Sequence, residues 1–60
     1  MKIKGLPKRE NLDDTCNYMV IKKYPDGWYF YGTYVDKVQA KNAANNYGGK
    51  VISVEKAYKN

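Results

Sequence analysis

The chain has 60 residues, a formal charge of +5, no histidine and one cysteine, Cys16. A domain of this length buries roughly 60% of its unfolded surface and sits near the lower limit of unaided folding. The composition excludes an internal disulfide, a triad built on its usual histidine base, and a metal site richer than one thiol among scattered carboxylates. We therefore expect no enzymatic role and no cofactor.

The opening residues 1–16, MKIKGLPKRENLDDTC, carry few apolar groups. They read as an N-terminal arm, or as a short edge strand at Lys2-Ile3-Lys4 followed by a loop. Residues 17–60 read as a single ββαβ domain. The lysine-bearing start leads into no signal-peptide core, and no apolar run approaches the ~18 residues of a membrane span. Together with a lone thiol suited to a reducing compartment, this predicts an unprocessed cytoplasmic protein with no membrane partner.

NYMVIKKY (17–24) and WYFYGTYV (28–35) have the β-branched and aromatic content of strands. Between them Pro25 presets φ for a type I turn, Asp26 suits the next position, and Gly27 accepts a left-handed bulge. That turn pairs Tyr24 with Trp28. Tyr18, Val20, Lys22 and Tyr24 then share one face with Trp28, Phe30, Gly32 and Tyr34. Met19, Ile21 and Lys23 share the other with Tyr29, Tyr31, Thr33 and Val35.

Asp36 and Gln39 have capping-box spacing and begin a helix. Ala40, Ala43, Ala44 and Tyr47 form its i, i+3, i+4, i+7 stripe, and Gly48 ends it. KVISVEKA then alternates as a last strand. The expected fold is α+β: a three-stranded sheet, four-stranded with an N-terminal edge strand, with one helix packed on one face.

A helix of about twelve residues covers only one side of such a sheet. Trp28, Phe30, Val20, Ile52 and Val54 are expected beneath it. The opposite face is then left as a partner-binding surface of Met19, Ile21, Lys23, Tyr29, Tyr31 and Thr33, unless the N-terminal arm or a second copy in a homodimer covers it. Tyrosine suits an interface because its ring buries area while its hydroxyl tolerates water.

The function expected from this surface is non-enzymatic binding of a protein. A short chain rich in Lys, Asn and Tyr also has the composition of small bacteriophage accessory proteins that bind or inhibit a host protein. The alternative is nucleic-acid binding, with Tyr29 and Tyr31 stacking on bases and Lys22, Lys23 and Lys50 contacting phosphates. Against it, the basic residues are ten lysines and one arginine, interleaved along the chain with acids, and arginine's planar fork is the usual reader of phosphates and bases. A further alternative is a homodimeric or assembly component using the same face.

The run PDGWYFYGTYVDKVQAKNAA resembles the hairpin-to-helix part of AP2-like and integrase arm-binding domains, where a glycine and an aromatic lead into an alanine-bearing helix. The resemblance covers about a third of the chain and implies nucleic-acid binding. This chain departs from that pattern in adding a strand after the helix and in lacking arginines on the hairpin, so no site residue is carried over.

Overall fold

The computed structural model describes residues 2–59. The protein is a small α+β fold built on a mixed four-stranded sheet. Strand β1 (Ile3–Lys4) is followed by a 3-10 turn (Arg9–Asn11), the hairpin strands β2 (Tyr18–Tyr24) and β3 (Gly27–Tyr34), helix α1 (Lys37–Tyr47), strand β4 (Lys50–Ser53) and a one-turn helix α2 (Val54–Ala57). The sheet order is β1-β3-β2-β4. Strand β1 runs parallel to β3, and the other two pairings are antiparallel.

The hairpin departs from the expected register in one half only. Pro25 and Asp26 alone form the turn, and Tyr24 pairs with Gly27, whose φ is 131°. Lys23 therefore faces Trp28, and Ile21 faces Phe30. Between Val20 and Ile21 the register shifts, so that Val20 meets Gly32 and Tyr18 meets Tyr34 as the sequence suggests. Tyr31 is the extra residue of this β-bulge, which lets two successive side chains of one strand share a face.

Alternation separates the aromatics, and the register between turn and bulge decides which face each set joins. Trp28 and Phe30 are turned onto the same face as Met19 and Ile21, while Tyr29 and Tyr31 join Tyr18, Tyr24 and Tyr34 on the other. Rings without a hydroxyl gather where water is excluded, and hydroxylated rings collect where it is not.

Two cores result, one on each face. On the first, Met19 and Ile21 have no exposed surface and pack with Ile3, Ile52, Val54 and Ala57, edged by Leu6, Leu12, Trp28, Phe30 and Tyr58. The expectation that this face lies open is overturned: the arm supplies Ile3, Leu6 and Leu12, and the end of the chain supplies Val54, Ala57 and Tyr58. The Tyr58 hydroxyl ties the two ends together by donating to the Pro7 carbonyl at 2.6 Å.

On the second face α1 lays Ala40 and Ala44 on Val20, with Tyr18, Tyr34 and Val51 around them. Of the five residues expected under the helix, only Val20 is there. Trp28, Phe30, Ile52 and Val54 belong to the opposite core.

Helix α1 starts where the sequence marks it. The Asp36 carboxylate accepts from the Val38 N–H at 2.9 Å, satisfying one of the free donors of the first turn. Gly48 closes the helix at φ 69°, a left-handed conformation that costs glycine little. The last strand is shorter than its alternation suggests. Ser53 caps α2 by accepting from the Lys56 N–H at 3.0 Å, and the chain turns helical at Val54.

Candidate functional site

Helix α1 leaves the β3 end of the sheet where Tyr18 meets Tyr34 and climbs toward the middle of β2. A methyl group placed on Gly49 would lie 2.8 Å from the Ile21 carbonyl oxygen and 2.9 Å from Val20 Cγ1. The helix has therefore ended by the level of Val20 and Ile21. The hairpin half of that face continues beyond it with no helix above.

Four tyrosines occupy this uncovered step. Tyr24 and Tyr29 meet edge to face, with ring centroids 5.1 Å apart at 87°. Tyr29 and Tyr31 alternate along β3 onto the same side, and Tyr31 lies against Tyr47 of α1 at 4.6 Å and 35°. Tyr24, Tyr31 and Tyr47 are 44%, 42% and 50% exposed. Together they form a ledge running from the hairpin turn to the end of the helix.

Charged groups fasten the upper end of the ledge. Asp26 accepts from the Tyr29 hydroxyl, and from Lys4 Nζ at 3.2 Å. The Tyr29 hydroxyl first, and Lys4 second, hold the Asp26 carboxyl below the usual carboxylate range. The same bond to Asp26 pushes the Tyr29 phenol up. Tyr31 is pushed up to about 12, first by hydrogen bonding of its neutral phenol to Tyr47 and then by desolvation. Both tyrosines thus remain neutral hydrogen-bonding groups well above physiological pH. An open cleft of about 520 Å3 beside the turn is lined by Tyr24, Pro25, Asp26, Tyr29 and Phe30.

The structure divides the residues expected to form the binding surface. Met19 and Ile21 are fully buried and have nothing to offer a partner. Thr33, paired with Met19, is half-buried on their face, and Lys23 lies on that side over Trp28. Only Tyr29 and Tyr31 reach the ledge. The three candidate phosphate contacts are also separated. Lys23 and Lys50 converge on the Trp28 ring, 5.2 and 5.9 Å from its centroid, whereas Lys22 lies over Tyr24 at 5.5 Å on the other face.

Tyr24 and Tyr47 are the ledge residues that sequence reasoning missed. Each falls at the end of an element, where period-based patterns assign a core face but nothing is left to cover it. No local pattern in the sequence set these two tyrosines apart from core positions.

No cluster of three or more metal-ligating side chains occurs among the described residues, and none of their helices is long and apolar enough to cross a membrane. No protein-family profile, curated protein or solved structure matches the chain.

Proposed function

We propose that this chain is a non-enzymatic binding protein that engages a protein partner through the ledge of Tyr24, Tyr29, Tyr31 and Tyr47. The observation that supports this is the exposure of Tyr24, Tyr31 and Tyr47 on either side of the half-buried Tyr29, on a fold with a packed core on each face of the sheet. Tyrosines concentrated in one exposed patch are a feature of interfaces, where a rigid ring contributes area at little entropic cost. The small size and the Lys, Asn and Tyr richness of the chain favour a phage-type accessory role, binding or inhibiting a host protein.

The test is capture of partners from nuclease-treated host lysate by the tagged protein and by Tyr31→Ala/Tyr47→Ala. Both rings are partly exposed, so the double variant is expected to keep its fold while losing the captured protein. Equal capture by both proteins, or loss of every partner on nuclease treatment of the parent, would remove this reading.

A further inference from the structure

Acidic and basic residues alternate along the sequence, but the fold separates them. Register places Lys4 and Lys22 on either side of Tyr29, Lys23 beside Trp28 and Lys50 beside Ile21, all in the hairpin half of the sheet. Asp26 is the acid at that end, and it is held by Lys4. About 20 Å away, at the other end of β2, lie Asp36 after β3, Glu55 after β4, and Asp13 and Asp14 before β2. Asp14 and Glu55 line one cleft there with Arg9. Since Arg9, Lys37 and Lys56 share that end, its charges nearly cancel. The positive excess of the protein is concentrated at the hairpin.

Each lysine of the hairpin end also lies over an aromatic ring: Lys4 over Tyr29, Lys22 over Tyr24, and Lys23 and Lys50 over Trp28. Tyr31 lies against Tyr47. Nucleic-acid bases stack on bare ring faces, and here a group of the same chain lies against each of these rings and competes for one of its faces. Lys23 and Lys50 are exposed and Lys22 is half-exposed, and their ammonium groups are donors that suit carboxylates.

We infer that the hairpin end inserts into an acidic cleft of the partner protein, one wall meeting Lys22 and the tyrosine ledge and the other meeting Lys23 and Lys50 on the opposite face of the sheet. This rests on the protein-binding reading above. Complementary charge of this kind steers encounter and weakens as salt screens it.

The probe is a fluorescent polyglutamate peptide, titrated by anisotropy at low and raised salt beside a single-stranded oligothymidylate. The parent is expected to bind polyglutamate in a salt-sensitive manner. Lys22→Glu/Lys23→Glu should weaken this by about tenfold through loss and reversal of two charge contacts. Lys37→Glu/Lys56→Glu, at the opposite end, should leave it unchanged. Lys23→Glu/Lys50→Glu serves equally if the first pair disturbs the fold. Binding of oligothymidylate without polyglutamate would overturn the inference in favour of nucleic acid; no binding, or equal loss in the two end variants, would overturn it outright. The two readings fail separately. Host-partner capture that needs Tyr31 and Tyr47 but ignores salt and the lysines keeps the ledge and removes the acidic partner. Polyglutamate binding without any tyrosine-dependent capture does the reverse.

Discussion

Tyr31 carries a chemical signature of the ledge that solution measurements can read. Its phenol is held neutral by Tyr47 and by desolvation, with a value of about 12 against an ordinary 10.0. A group whose folded value is raised favours the folded state while it stays protonated. That contribution is fully present below pH 10 and is lost as pH rises through about 12. Alkaline titration by tyrosinate absorbance should therefore show a tyrosine ionising near pH 12, absent in Tyr31→Phe and shifted down in Tyr47→Phe. The parent should also lose stability across that interval more steeply than Tyr31→Phe. A Tyr31 that titrates at the ordinary value of 10.0 would dissociate the pair. At this scale the sequence was readable where a residue has a local job: Asp36 as cap, Gly48 as helix end and Pro25 in the turn all act on neighbours within a few positions. The Asp26–Lys4 pair joins residues 22 positions apart, and no local pattern announces it.

Among the elements, the bulge decides what each face of β3 presents. Alternation from either end of the strand is correct for a few residues, and Tyr31 is where the two phases meet. Removing Tyr31 would bring Phe30 next to Gly32 while preserving both the Ile21–Phe30 and Val20–Gly32 pairings. The deletion is thus expected to cost only roughly 1–2 kcal/mol in denaturant unfolding and to retain NMR contacts between Ile21 and Phe30. Deleting Tyr29 instead would turn Trp28 out of its core and should prevent folding. If the two deletions behave alike, the bulge is not the device that sets the register of the rings. The strand-strand-helix-strand order, the fourth edge strand and the helix bounds were legible because each rests on periodicity and capping. The bulge was not, because period-two reasoning assumes an unbroken ladder. The helical turn at Val54 was hidden for a related reason: Val-Ile-Ser-Val fits an alternating strand, and only the cap formed by Ser53 reveals the change.

For the molecule as a whole, the open sheet face expected from a single helix does not exist, because Ile3, Leu6 and Leu12 of the N-terminal arm pack on it. The arm's apolar content is low, but Ile3 is buried and Leu6 and Leu12 are half-buried against Met19, Ile21 and their neighbours. Full burial of one such side chain is worth about 1.5–3 kcal/mol, so the three together contribute on the order of 4. A chain this long has a total stability of about 3–9 kcal/mol. Truncation of residues 1–12 is therefore expected to abolish cooperative unfolding, with loss of near-ultraviolet circular dichroism and gain of hydrophobic-dye binding. A truncated chain that still melts sharply would show that the arm merely decorates the sheet. The functional reading survives the closing of this face because the register between turn and bulge puts the tyrosines on the other one, an arrangement that composition alone does not reveal.

That Ile3 and Ala57 seal the same core has a bearing on how the protein comes into being. Ile3 waits for Trp28 to emerge from the ribosome before it has a strand to lie beside, and Met19 and Ile21 stay without their last cover until Val54 and Ala57 are synthesised. The hairpin and α1, whose contacts are close in sequence, have no such delay. The face carrying the purely apolar side chains is thus the last to be shut, and during translation it is there, rather than at the tyrosines, that the nascent chain is most exposed to unwanted association.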